Sequence, residues 1–263
     1  MTDASTPDRS LRVGEQVLLI DRKKRRYLVV LEDGGEFHTH SGFVAHANIV
    51  GQAEGAALRS TRGATFTAFR PTLSDFVLKM PRGAQVIYPK DLGAILMQAD
   101  IFPGARVLES GVGSGALSMT LLRAGAHVVG YELRADFAAR AQKNVASFCP
   151  PEQVANYRVE ERDCYDGISE EALDRVVLDL PEPWEVVPHA ETALRPGGIL
   201  LAYTPTIIQA VHLRERMVDS GFEQAETMEV LHRGWNIDGT SVRPDHRMVA
   251  HTGFLTHARL LPS

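Results

Sequence analysis

Two cysteines, Cys149 and Cys164, are all that the 263 residues contain. That excludes a disulfide framework and fits a reducing compartment. Long apolar runs are missing too, so nothing approaches the roughly 20 residues that a membrane-crossing helix needs. The opening residues, Met1 to Asp8, are polar and lack the apolar centre of a signal peptide, so a cytoplasmic location is expected. Excess positive charge is absent: the formal net charge is −5. That argues against broad, charge-driven binding to nucleic acid, though not against a local basic patch. One such patch exists, Arg22-Lys23-Lys24-Arg25-Arg26, and it reads as a solvated turn at least as readily as an RNA contact. Internal repeats and low-complexity tracts are also absent. A hydrophobic content of 44% with 23% charged residues leaves an ordinary globular chain, long enough for one large domain or a medium one plus a small one.

The first part reads as β. Gln16–Ile20 and Tyr27–Leu31 are short β-prone runs joined by the basic turn. Asp33-Gly34-Gly35 marks a second turn before Glu36–His40, and Ala64–Phe69 closes the region. Residues 1 to about 70 are expected to form a small antiparallel β domain. His38 and His40 alternate on one strand, but no Cys or carboxylate set nearby completes a metal site. From Thr72 the pattern becomes alternating helix and strand, so residues 71–263 are expected to form an α/β domain. Helical stretches cover Asp91–Gln98 and Ala135–Val145; Tyr157–Glu160, Arg175–Leu180 and Ile199–Tyr203 read as strands. Thr204 is expected to cap a helix, with Pro205 in its first turn. Two last β stretches, around Met228–Leu231 and Thr252–Leu255, have no useful helix between them and are expected to pair antiparallel.

The most informative stretch is Arg106 to Ala116. Val107 and Leu108 end a buried strand, Gly111, Gly113 and Gly115 make a turn, and a helix begins at Ala116. The free N–H groups of that helix point at whatever sits on the turn. The next strand, His127–Glu132, ends on a carboxylate that can accept hydrogen bonds from two ribose hydroxyls. A nucleoside-containing cofactor is the first expectation, ahead of a glycine-rich turn that binds nothing. Gly111, Gly113 and Ala116 satisfy the dinucleotide pattern G-x-G-x-x-A, which keeps NAD open. The acid soon after the turn and the form Glu109-x-Gly111-x-Gly113-Ser114-Gly115 favour S-adenosylmethionine. A mostly parallel sheet closed by an antiparallel C-terminal strand also favours a methyltransferase.

Asp179-Leu180-Pro181-Glu182-Pro183-Trp184 follows a buried strand, where doubly wound sheets place their ligands. Asp179 is placed to touch both cofactor and substrate, and Trp184 offers an apolar face. Asp163 ends the preceding strand beside the same crevice and can accept the exocyclic amine of an adenine.

With these residues the chain resembles the tRNA (adenine-N1) methyltransferases of the TrmI type, which modify adenine 58 in the T-loop. The resemblance runs through Val86-Ile87-Tyr88-Pro89-Lys90-Asp91, Val107–Leu117, Leu178–Trp184, Ala202-Tyr203-Thr204-Pro205 and His251-Thr252-Gly253-Phe254-Leu255. Asp21-Arg22-Lys23 and Gly35–His40 look like that family's small β domain. It implies a class I, Rossmann-like methyltransferase domain. Gly111, Gly113, Ser114, Gly115 and Ala116 would hold the methionine portion of S-adenosylmethionine, Glu132 the ribose and Asp163 the adenine. Phe137 stands where related enzymes often carry a polar residue, so one cofactor hydrogen bond would be missing or replaced by stacking. Asp179 would lie at the methyl-transfer centre, and Tyr88 would position a flipped base, although by itself it reads equally as a structural tyrosine. The resemblance further implies tRNA as partner and a homotetramer, with no metal and no membrane.

Overall fold

The computed structural model describes residues 8–83 and 85–262. Residues 1–7, on which the signal-peptide reading rests, lie outside the described residues. Two compact units result, Met1–Met80 and Pro81–Ser263.

In the first unit, β1 (Gln16–Asp21), β2 (Arg26–Val30), β5 (Ala57–Arg59) and β6 (Thr65–Phe69) form an antiparallel sheet in the order β2-β1-β6-β5, while β3 (Glu36–Thr39) and β4 (Gly42–Ala45) form a separate hairpin. Val17, Leu19, Leu31, Val44, Ile49 and Phe66 close its core. β4 and β5 are too short to have stood out in the sequence. The helix α1 (Leu73–Lys79) ends the unit. It starts with a capping box in which Thr72 and Asp75 satisfy each other's backbone N–H groups. Asp75 also pairs with Arg26 of β2. That pair keeps α1 with the β unit and moves the division from about residue 70 to Met80.

The second unit contains α2 (Pro89–Gln98), β7 (Arg106–Ser110), α3 (Ala116–Arg123), β8 (His127–Glu132), α4 (Ala135–Phe148), α5 (Pro151–Val154), β9 (Tyr157–Glu161), β10 (Leu173–Leu178), α6 (Val187–Ala193), β11 (Leu194–Thr204), α7 (Ile207–Val218), β12 (Phe222–Glu229), β13 (Trp235–Asp238), β14 (Ser241–Pro244) and β15 (Phe254–Leu260). Seven strands form one sheet in the order β12-β15-β11-β10-β7-β8-β9. β11, β10, β7, β8 and β9 run parallel, and β15 lies antiparallel between β11 and β12. The central strands are buried on both faces, which explains their near-continuous apolar runs. Strand order reverses beside β7, and such a switch point opens a crevice at the carboxyl ends of β7 and β10.

Two local expectations change. Thr204 closes β11 rather than capping a helix. The cap is Thr206, because Gln209 stands three residues on and completes a capping box. The two last sheet strands do pair antiparallel, but the chain between them makes a hairpin, β13–β14, with Trp235, Ile237 and Val242 exposed. Among the described residues, no helix is long and apolar enough to cross a membrane.

Candidate active site

The glycine turn is a left-handed backbone at three positions, with φ of +84° at Gly111, +57° at Gly113 and +84° at Gly115. Gly111 is also required by its close neighbour. A Cβ there would lie 2.1 Å from the Asp179 carbonyl oxygen. The Asp179 N–H donates to the Ser110 carbonyl at 2.8 Å, and the Gly111 N–H to that of Tyr131 at 3.1 Å. The glycine pattern, read as room for a ligand, therefore also locks the β10 loop onto the β7 loop. Gly115 precedes α3 and lies against Ala141 of α4. Gln85, Val86, Ile87, Glu109, Gly111–Ser114, Ala116, Leu117 and Asp179 line a narrow cleft.

Three carboxylates belong to this end of the sheet. Glu132 ends β8, and its Oε2 accepts from the Gly113 N–H at 2.9 Å and its Oε1 from the Arg134 N–H at 3.1 Å. Asp179 is half-buried, and burial, with Glu132 nearby, pushes its carboxyl up to about 7. Glu109, on β7, is wholly buried. Its Oε2 accepts from Ser118 Oγ at 2.6 Å, and Tyr157 donates to that hydroxyl at 3.1 Å. Burial pushes Glu109 up to about 8 despite the Ser118 bond, with Asp179 and Glu132 adding to the effect. Its Oε1 and the Ser114 Oγ are buried without a partner among the described residues. Sequence reasoning used Glu109 only as part of a pattern; an acid inside an otherwise apolar strand was the available signal.

The other expected residues spread out around this centre. Ala116 is the first residue of α3, over the turn. Asp163 follows β9 and accepts from the Tyr165 N–H at 2.9 Å, capping a short 3-10 turn. Phe137 is buried on α4, with the Arg134 guanidinium 3.4 Å from its ring centre. Trp184 packs against the apolar core and edge-on against His212 of α7, 5.2 Å between ring centres. Cys164 is buried in the apolar core and its thiol is pushed up to about 11, unsuited to nucleophilic attack. His38 pairs with Glu36 at 3.0 Å, and no metal-holding group occurs among the described residues.

Tyr88 precedes α2 as its N-cap, directly after the cleft-lining Gln85–Ile87. Beside it lies a buried network that the sequence did not announce. Lys90 Nζ donates to Asp91 Oδ1 at 2.8 Å, to the Val230 carbonyl at 2.5 Å and to Thr252 Oγ1 at 2.6 Å. Thr252 donates in turn to Asp91 Oδ2 at 2.6 Å, and its carbonyl accepts from Tyr203 at 2.5 Å.

Comparison with known proteins agrees with this geometry. Residues 67–243 match the family described as tRNA methyltransferase complex GCD14 subunit, and residues 10–57 match TrmI-like N-terminal. The tRNA (adenine(58)-N(1))-methyltransferase TrmI of Thermus thermophilus is 38% identical over 92% of this chain and 96% of its own. A crystal structure of a SAM-dependent O-methyltransferase from Thermotoga maritima superposes with a TM-score of 0.92 at 31% identity, covering 97% of this chain and 96% of its own. That of the tRNA (m1A58) methyltransferase TrmI from Aquifex aeolicus gives 0.85 at 29% identity, covering 97% and 100%. With its doubly wound sheet, its glycine turn and these matches across both units, the chain belongs to the GCD14/TrmI family of tRNA methyltransferases.

Proposed function

We propose that this protein transfers the methyl group of S-adenosylmethionine to N1 of adenine 58 in the T-loop of tRNA. The observation that carries the reading is Asp179 in the lining of the glycine-turn cleft, its backbone seated against Gly111, in a chain of this family.

The cleft suits the donor. S-adenosylmethionine carries an ammonium and a sulfonium, and the cleft wall holds Glu109 and Asp179, with Glu132 close behind. Glu109 Oε1 and Ser114 Oγ, buried and without a partner among the described residues, are polar atoms that call for a ligand. Gly111, Gly113, Ser114, Gly115 and Ala116 would hold the methionine portion, Glu132 the ribose and Asp163 the adenine, with Phe137 and Arg134 flanking. Each carboxylate keeps lone pairs for ligand hydroxyls beyond its backbone bonds. Bound there, the cofactor supplies an electrophilic methyl group.

The chain's own residues do the rest. Adenine N1 has a lone pair, so no covalent enzyme intermediate is needed. Asp179 accepts a hydrogen bond from the N6 amine, which raises electron density at N1 and stabilises the positive charge that develops. Tyr88 holds the extruded base; stacking of this kind is worth about 1–3 kcal/mol. Alignment of N1 with the methyl group supplies several kcal/mol more. The enzyme is proposed to work in the cytoplasm as a homotetramer.

The test is methyl transfer from labelled donor to an unmodified tRNA transcript, with nucleoside analysis. N1-methyladenosine is expected, and it disappears when adenine 58 is changed to guanine. Transfer that persists at another nucleoside, or none with demonstrated donor binding, overturns the reading.

A further inference from the structure

The Lys90–Asp91–Thr252 network has no part in the chemistry above, yet two of its members, Lys90 and Asp91, lie within three residues of Tyr88. We infer that it is a positioning device: a buried strap that fixes Tyr88 relative to Asp179, so that Lys90, Asp91 and Thr252 set the pose of the acceptor base. The inference rests on the proposed tRNA reaction.

The strap joins elements distant in sequence. Lys90 and Asp91 are in the first turn of α2, and Tyr88 is the N-cap of that turn. The Tyr88 carbonyl accepts from the Asp91 and Leu92 N–H groups at 2.9 and 3.0 Å, so moving the turn moves Tyr88. Val230 follows β12 directly and Thr252 lies just before β15, so Lys90 holds both ends of the excursion that carries the exposed β13–β14 hairpin. Thr252 then links to Tyr203 of β11. β11 pairs with β10, with Leu178 opposite Ala202, and Asp179 is the next residue. Burial, followed by the nearby carboxylate of Asp91, pushes the Tyr203 phenol up to about 12 against the opposing effect of its Thr252 bond, with Asp179 and Tyr88 adding less. A continuous path of bonded residues thus runs from Tyr88 to the strand beside Asp179.

The burial argues against a merely solvated pair. The side chains of Lys90 and Asp91 are 6% and 0% exposed. Replacing a buried ion pair by apolar residues is often neutral or stabilising, so stability alone is a weak reason to have one here. What this pair has is direction: Lys90 donates to three acceptors on three separate segments and Asp91 takes up both available donors. Gly253 adds a steric requirement, since a Cβ there would lie 2.4 Å from the Tyr203 ring.

The experiment compares Thr252→Val, which keeps the shape and loses the hydroxyl, with Thr252→Ser, which keeps the hydroxyl. The readouts are kcat with saturating tRNA, the Kd of S-adenosylhomocysteine and the melting temperature. Val is expected to lower kcat about 10- to 100-fold, the scale of a misplaced reacting group, with the Kd held within about twofold. Ser is expected to restore kcat to near wild type. Unchanged kcat in the Val variant, loss of ligand affinity in step with kcat, or a Ser variant as slow as Val would each overturn the strap. Asp91→Asn, read by the same three measurements, replaces Val if that variant does not fold. A wild-type protein that makes no N1-methyladenosine fails the functional reading itself and the strap with it, whereas an active wild type beside an equally active Val variant fails only the strap.

Discussion

Replacing Glu109 by Gln is expected to make the protein more stable as pH rises. Glu109 is fully buried, and its carboxyl titrates at about 8 in the folded chain instead of the ordinary 4.5. Because the folded-state value is the higher one, the group favours folding fully below about pH 4.5. That contribution is lost as pH rises towards 8, since the unfolded chain ionises first. Each pH unit in this window removes about 1.4 kcal/mol. By pH 7 the loss approaches about 3 kcal/mol before relaxation and water entry reduce it. Gln is neutral throughout and its amide oxygen can accept from Ser118 as Oε2 now does, so the variant escapes the loss. For a unit of this size 1 kcal/mol moves the melting temperature by about 2–4 °C. The Gln variant should therefore gain about 3–10 °C on wild type between pH 5 and pH 7.5 in thermal unfolding without ligand. Parallel curves would refute the buried, proton-holding carboxyl. Above about pH 8, where Glu109 ionises, the same variant offers no charge to the donor's ammonium, so there its affinity for S-adenosylmethionine is expected to fall about 10-fold by titration calorimetry, the value of one charge-assisted hydrogen bond.

Three further outcomes are expected. Asp179→Ala should lower kcat about 10²- to 10³-fold with donor affinity little changed; the wild-type kcat/KM should rise with pH up to about 7, where Asp179 ionises, and a variant retaining that rise would assign it to another group. Gly111→Ala combines a left-handed backbone with a Cβ 2.1 Å from the Asp179 carbonyl, and should cost about 2–4 kcal/mol in thermal unfolding; a melting temperature near wild type would show that the two loops are not locked together. The exposed basic turn is the third. Asp21 fixes it by accepting from the Lys23 and Arg25 N–H groups; all five basic residues are exposed, but Arg25 and Arg26 are paired, whereas Arg22, Lys23 and Lys24 have no ion pair among the described residues. Alanine at those three should weaken tRNA binding and flatten its salt dependence by about one unit of slope for each phosphate no longer neutralised; an unchanged slope would leave the turn as a solvated hairpin.

What was legible in the chain follows the range of the interaction concerned. The strand, glycine turn and helix from Arg106 to Arg123 lie within one short segment, and their glycines and apolar run state the local backbone directly. The short β4 and β5 carry too few residues for an alternating pattern to show, and they form because β3 and β6 give them partners. The helix cap shows the same limit at one position: Thr204 and Thr206 are equally good capping residues, and only the reach of Gln209 back to Thr206 decides between them. Glu109 and the Lys90 strap go further. A glutamate inside an apolar strand has no recognisable chemistry until α3 covers it and brings Ser118 to one oxygen while leaving the other bare. Lys90 and Asp91 are adjacent in the chain and look like a solvated helix start; their partners Val230 and Thr252 lie 140 and 162 residues beyond Lys90. The residues expected to touch cofactor and base are thus readable from motifs. Those that hold a proton or hold Tyr88 in place acquire their roles from burial and from long-range interactions, so it is substitutions at Glu109 and Thr252 that test whether the fold, and not the motif alone, makes this site work.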